Sequence, residues 1–345
     1  MRNYARRLTS VTAAVLAALA LGTVPATADT GTGPSCQDEF VPVSLAAGAP
    51  ATYVAYGRLC LPANTTTPDT VQVLVAGITY DHTYWDLPGA NSYTAAAANA
   101  GFATFAVDRI GTGRSSHPLG ALVDITSNTF VVHEVIQALR SGLPGAPSFG
   151  RVVLVGHSYG SWVAWFESSQ YRDVDGVILS GISHYVNLTA PLRLLPRLYP
   201  ADLDPAFQGA GLDPTYETTE PGQRQAMFDD PGVVASALVA FDEAHKQTVT
   251  AAEIAEFPLV ITLPLDIRAP VLLANGSQDP LFCGLGGADC SSAQGLIDTE
   301  GPRLGAQVPA IQAYILAGAG HDLNYAPNAP DWFAAAQRWI GTKVG

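Results

Sequence analysis

Two kinds of apolar pattern alternate along the chain. Short, nearly unbroken runs at residues 71–76, 102–107, 152–155, 174–182, 269–274 and 312–316 predict buried strands, because a strand covered on both faces has no polar side to show. Between them, apolar residues recur at helical spacing. The Ala-rich stretch 91–100 closes at Gly101, and Phe130, Val131, Val135, Ile136 and Leu139 line one face of residues 129–139. Residues 162–171 and 331–343 continue the series, the last with Trp332, Phe333, Ala336, Trp339 and Ile340 on its apolar face. Strands alternating with helices predict an α/β fold: a mainly parallel sheet with helices on both faces. Ahead of these lie two alternating segments, residues 40–45 and 53–61, read as strands around Gly48-Ala49-Pro50.

The pattern breaks between His184 and Ile267. Prolines recur at 191, 196, 200, 205, 214, 221 and 231, and helical spacing survives only in pieces, at residues 233–241 and 251–257. Leu192, Leu194, Leu195, Phe207, Phe228 and Phe241 supply enough apolar surface for packing, which favours an inserted helical lid over a long structureless loop. The expected organisation is a core in two parts, residues 29–183 and 268–345, with the lid at 184–267.

Residues 1–28 read as a signal peptide. Arg2, Arg6 and Arg7 precede an apolar stretch at 11–22 that is too short to span a bilayer, and Ala26-Thr27-Ala28 offers a small-residue cleavage site. Secretion after cleavage near Ala28 is therefore expected. It suits the four cysteines, whose simplest pairing is Cys36 with Cys60 and Cys283 with Cys290. The net charge of −13, with only 17 Lys and Arg, argues against a nucleic-acid partner or an anionic membrane surface, and no later stretch suggests membrane insertion.

Chemistry concentrates where the strand Val152–Val155 runs into Gly156-His157-Ser158-Tyr159-Gly160. A strand, a sharp turn carrying serine and a following helix make a nucleophile elbow, with glycines where side chains would collide. Asn275-Gly276-Ser277-Gln278-Asp279 and Gly318-Ala319-Gly320-His321 each follow a predicted strand, so Ser158, Asp279 and His321 converge on one sheet edge. In order and local sequence the three segments resemble the triad motifs of the α/β-hydrolase superfamily, and the likeness covers roughly residues 40–343. It implies an α/β-hydrolase fold and a serine hydrolase of the esterase or lipase kind: Ser158 as nucleophile, His321 as its base and Asp279 as the orienting acid.

The other six histidines (His82, His117, His133, His157, His184 and His245) suit packing or surface roles, with His184 the most interesting because it directly follows a strand. Asp266 lies at the wrong end of its strand, and Asp289 and Asp298 suit solvated loops. The resemblance also implies an oxyanion hole of backbone N–H groups, one from Tyr159 and one from the turn after the strand at 71–76. Relatives commonly carry His-Gly in that turn; this chain has Ala76-Gly77-Ile78, which makes Ile78 the first choice and Thr79 the second. The stretch Asp108-Arg109-Ile110-Gly111-Thr112-Gly113-Arg114-Ser115 resembles the family's Arg-x-Gly-x-Gly-x-Ser loop. It lacks the lysine and glycine spacing of a phosphate-binding loop, so a role shaping the pocket floor is expected. No metal or organic cofactor is implied.

The expected substrate is a small apolar carboxylic ester or lactone. One alternative is a lidded aminopeptidase, which needs a lid acid such as Glu217, Glu220, Asp242 or Glu243 to hold the substrate's amine. Another is a non-catalytic exported binding protein on the same fold. Aspartate would stand at position 158 in epoxide hydrolases and dehalogenases of this fold.

Overall fold

A computed structural model of the chain describes residues 33–63, 68–229 and 234–344, so the expected signal peptide lies outside the described residues. Two edge strands come first: β1 (Ser35–Val43) and β2 (Tyr53–Leu61). They pair antiparallel in a register that sets Cys36 opposite Cys60, and these two form a disulfide. The central strands follow as β3 (Thr70–Val75), β4 (Ala103–Val107), β5 (Arg151–His157) and β6 (Gly176–Ser180). After the insertion with β7 (Leu198–Pro200), β8 (Tyr216–Thr219) and β9 (Val249–Thr250), the sheet closes with β10 (Val271–Gly276) and β11 (Ile311–Leu316). The order across the sheet is β1-β2-β4-β3-β5-β6-β10-β11. β2 runs antiparallel to β4, and every pairing from β4 to β11 is parallel.

Every residue of β3, β4, β6 and β10 is buried, which is why these segments read as continuous apolar runs. The polar exceptions are Thr70, Thr104, Ser180, Asn275 and, largest of them, Gln72. Its amide donates to Gln337 Oε1 at 2.6 Å and its carbonyl accepts from Tyr93 Oη at 2.7 Å, so its burial leaves neither end unpaired. Those partners lie on α1 (Tyr93–Asn99) and α10 (Ala329–Lys343), which pack together on that face. On the other face α2 (Ile125–Ser141) packs against α3 (Tyr159–Gln170). α2 starts four residues before the helical spacing expected at 129, because Asp124 and Ser127 close a capping box there.

The insertion departs from an all-helical expectation. It holds α4 (Ala190–Leu194), α5 (Arg224–Phe228), α6 (Ser236–Ala244), α7 (Ala251–Ala255) and α8 (Phe257–Val260). It also holds the antiparallel sheet β7-β8-β9, whose strands of two to four residues are too short to leave a period-two signature. α9 (Ala293–Glu300), between the second disulfide Cys283–Cys290 and β11, was likewise not anticipated. The described residues contain no free cysteine, and none of their helices is long and apolar enough to cross a membrane.

Candidate active site

Parallel strands bring their carboxyl ends to one edge. Chain order reverses between β3 and β5: β3 leads outward to β4 on one side, while β5 begins the run to β11 on the other. Such a switch point opens a crevice. Ile78 stands beyond β3 and Ser158 beyond β5, one on each side of it. Asp279 and His321 follow β10 and β11 on the same edge.

Ser158 has φ 53° and ψ −121°, a strained conformation for a residue with a side chain. The glycines around it are required by contact. A Cβ on Gly156 would sit 2.4 Å from Ser161 Cα, and one on Gly160 would sit 2.1 Å from the Val75 carbonyl oxygen. The Ser158 N–H donates to Ser180 O at 2.9 Å, which fixes the turn against β6.

His321 is buried, and its Nδ1 lies 3.0 Å from Asp279 Oδ2. The other carboxylate oxygen accepts the N–H groups of Leu281 (2.8 Å) and Phe282 (3.1 Å), so the acid is locked in orientation. Among the described residues His321 Nε2 is buried without a hydrogen-bond partner, and no hydrogen bond joins it to Ser158. Phe228 and Phe282 flank the His321 ring at 5.9 and 5.6 Å, and both line the cavity onto which Ser158 opens.

That cavity has a volume of about 400 Å³. Ile78, Tyr159, Trp162, Leu281 and Phe282 line it from the core, and Val186, Leu194, Ile254, Phe257 and Ile261 contribute from the insertion. Among the described residues no charged one lines it. Of the two turn residues considered as hydrogen-bond donors, Thr79 has its N–H engaged with Thr248 O at 3.3 Å, whereas no acceptor among the described residues takes the N–H of Ile78. Tyr159 is the first residue of α3, so its N–H has no partner within the helix and lies at the positive end of the helix dipole.

A second acid stands beside the first. Asp322 accepts from Tyr80 Oη at 2.7 Å, and its other oxygen lies 3.0 Å from His157 Nε2. The His157 ring lies 4.9 Å from that of His321 and stacks on Tyr84 at 4.4 Å. Burial and charge oppose each other here. Burial pushes the Asp322 carboxyl up, yet the hydrogen bond and charge of His157, with His321 and Tyr80, hold it below the usual carboxylate range. Burial lowers His157. Burial together with the Asp322 charge drives the neighbouring Asp229 well above its ordinary value.

A model described as the alpha/beta hydrolase family matches residues 72–336. The chain belongs to the alpha/beta hydrolase family. Solved structures resemble this hydrolase over nearly its whole length. One is an esterase from Thermogutta terrifontis with malate bound: 15% identical, covering 90% of this chain and 100% of that one, TM-score 0.53. Another is a soluble variant of monoglyceride lipase from Saccharomyces cerevisiae with a substrate analogue: 14% identical, covering 92% and 97%, TM-score 0.58. A serine hydrolase involved in carbazole degradation is 14% identical, covering 89% and 99%, TM-score 0.52. At these identities the likeness is one of fold. No curated protein sequence matches the hydrolase.

Several other histidines of the hydrolase are occupied elsewhere. His184 pairs with Glu300 at 2.8 Å and stacks on Trp165 at 4.0 Å, His82 lies 2.7 Å from Asp108, and His133 lies 2.9 Å from Asp173. Sequence reasoning passed over Asp322, although it directly follows His321, because nothing local revealed that His157 and Tyr80 would meet it. It also assigned the loop at Arg109 to the pocket floor, without its contacts.

Proposed function

We propose that this hydrolase cleaves an uncharged carboxylic ester or lactone through an acyl-enzyme on Ser158, with no metal or cofactor required by the step. The observation that carries the reading is the cavity at Ser158: about 400 Å³, apolar and lined by no charged residue among those described. An apolar acyl group gains burial there, at about 25 cal/mol per Å² removed from water. The Ser158 hydroxyl attacks the carbonyl carbon while His321 Nε2 takes its proton. Asp279 holds the Nδ1–H tautomer and stabilises the imidazolium that forms. The carbonyl oxygen becomes an oxyanion between the N–H groups of Ile78 and Tyr159, the latter aided by the dipole of α3. Collapse expels the alcohol, which takes the proton from His321, and water then repeats the sequence on the acyl-enzyme.

The aminopeptidase alternative needs an acid facing the cavity. Asp242 instead pairs with Arg224 at 2.8 Å and Glu243 with Lys246 at 3.1 Å, and neither they nor Glu217 and Glu220 line the cavity. A series of nitrophenyl esters beside matched amino-acyl nitroanilides is the test. Turnover is expected on apolar acyl esters, falling by about 100-fold or more when the acyl group carries a charge that the wall cannot pair. Faster turnover of the amino-acyl series overturns the substrate class.

The pH profile tests the base. Burial pulls the His321 imidazole down, but the charge and hydrogen bond of Asp279 and the charge of Asp322 outweigh it, and the balance lies above the ordinary value of 6.5. A base must be neutral to accept a proton, so kcat/KM falls as pH drops through this raised pKa, and the midpoint of the acid limb lies above 6.5. Asp322→Asn removes one of the two negative charges facing the ring, leaving Asp279, the neutral-leaning His157 and the neutral-leaning Asp229. The acid limb then moves to lower pH. An unmoved limb rejects His321 as the group whose charge state governs the rate.

Export is the companion inference. It rests on the basic, apolar and small-residue succession within residues 1–28 and on two disulfides in the folded protein. Intact mass of protein recovered from the medium is expected to show a chain starting near Asp29 with no alkylatable thiol. Recovery of full-length reduced chain only in the cytosol removes the inference.

A further inference from the structure

One buried side chain lies against both the peptide unit that carries the Ile78 N–H and the Tyr159 ring. Arg109, 1% exposed, donates from Nε to Ala76 O and from Nη2 to Gly77 O, each at 3.2 Å. Its guanidinium lies 4.8 Å over the Tyr159 ring. Its remaining arm, Nη1, is hydrogen-bonded to the Glu253 carboxylate on α7 of the insertion. Glu253 is itself fully engaged: Asn128 Nδ2 donates to it at 3.2 Å and the Thr250 N–H at 2.8 Å.

The geometry of the peptide unit gives these contacts a consequence. The Gly77–Ile78 bond is trans and planar, so its carbonyl and its N–H point in opposite directions. A donor that fixes the Gly77 carbonyl also fixes the direction of the Ile78 N–H. The next residue needs support as well. Thr79 is β-branched yet has φ +57°, a left-handed conformation that persists only where the surroundings over-determine it. The insertion does so at three points. The Thr79 N–H donates to Thr248 O (3.3 Å), Thr79 O accepts from the Gln247 N–H (2.9 Å), and Thr79 Oγ1 accepts from Arg224 Nη1 (2.8 Å).

We infer that Arg109, braced by Glu253, is a positioning residue that aims the Ile78 N–H at the developing oxyanion, making the insertion part of the machinery for the chemical step as well as a wall of the substrate cavity. The inference rests on the acyl-enzyme reading above. A buried ion pair with a purely structural role ties the insertion to the core; losing it lowers stability but leaves the chemistry of the folded protein alone. The two roles differ in what they do to a transition-state analogue.

The experiment compares wild type with Arg109→Lys and Glu253→Gln. It measures kcat and KM on a nitrophenyl ester and the inhibition constant of a trifluoromethyl ketone, which adds to a serine as a tetrahedral oxyanion. Lysine keeps the charge but cannot reach two carbonyls and a carboxylate from one planar fork. Since losing one oxyanion donor outright costs about 10²–10³-fold in kcat, Arg109→Lys is expected to lower kcat by about 10–100-fold, with KM changed less than about threefold. The inhibition constant should rise by the same factor as kcat/KM falls. For Glu253→Gln, where the brace weakens but the fork stays, the same pattern is expected at about 3–10-fold. Unchanged kcat and unchanged inhibition constant in the folded variants overturn the inference, as does a loss confined to KM. Should Arg109→Lys fail to fold, Glu253→Gln decides alone. Ser158→Ala is measured in parallel: if it retains turnover, the underlying reading fails, and if it is inactive while Arg109→Lys is normal, only the positioning role fails.

Discussion

Ser158→Ala is expected to lower kcat/KM on an activated short-chain ester by roughly 10⁴-fold or more, with an unchanged circular dichroism spectrum. The serine occupies a turn whose conformation is set by backbone contacts: its N–H on Ser180, and the flanking glycines against Ser161 and Val75. Removing a hydroxyl therefore leaves the elbow standing. His321→Ala is expected to do nearly as much damage, because the hydroxyl then has no base. Asp279→Asn should cost less: the imidazole survives, and the two N–H groups at Leu281 and Phe282 still hold the side chain, but in a form that favours the wrong tautomer. These groups act as a unit, so Ser158→Ala/His321→Ala should be no worse than either single variant. Near-normal turnover in Ser158→Ala rejects the mechanism. Near-normal turnover in Asp279→Asn alone moves the acid to another residue, and Asp322 is the one the structure offers.

The second large effect is expected at a residue with no side chain. Gly276 ends β10, three residues before Asp279, and a Cβ there would sit 2.0 Å from Gly320 O and 2.4 Å from Ala319 O. Those oxygens belong to the loop that carries His321. The obstacle is backbone on both sides, so no rotamer relieves it and the loops must separate. Gly276→Ala thus pushes acid and base apart without touching either. Misplacement of order 1 Å costs about 10²-fold in rate, and that is the loss in kcat expected here. Overpacking of this kind lowers stability by about 1–3 kcal/mol. Thermal unfolding with steady-state kinetics separates the two effects. Full kcat in a folded Gly276→Ala hydrolase shows that the Asp279–His321 contact tolerates displacement and removes the argument.

What the sequence disclosed follows from how local each signal is. The strands of the central sheet were legible because burial on both faces leaves unbroken apolar runs, and a parallel sheet then dictates that residues just beyond β5, β10 and β11 share an edge. The choice of Ser158, Asp279 and His321 as candidates rested on strand ends, glycines, order and the likeness to the superfamily's triad motifs. The disulfides were legible by proximity along the chain. The small sheet within the insertion was not, because β7, β8 and β9 are held by pairing across many intervening residues rather than by their own periodicity. Asp322 and Arg109 escaped for the same reason at the level of side chains. An aspartate after a histidine and an arginine in a glycine-rich loop carry no mark of the Tyr80, His157, Gly77 or Glu253 that they meet from distant segments. Ile78 was favoured over Thr79 by its place in the turn; the physical distinction, a Thr79 N–H already committed to Thr248, required the fold.

The contacts between Thr79 and residues 247–248 bear on how such a protein can be remodelled. Exchanging the segment between β6 and β10 for that of a relative looks like a modular route to a new acyl preference, since that segment supplies much of the cavity wall. Gln247, Thr248, Glu253 and Arg224 belong to the transplanted piece by position but to the host by function. A graft that replaces them exchanges the walls and discards the scaffold beneath Ile78. One that retains these four while varying Val186, Leu194, Ile254 and Ile261 changes the recognition surface and leaves the reacting carbonyl where it was.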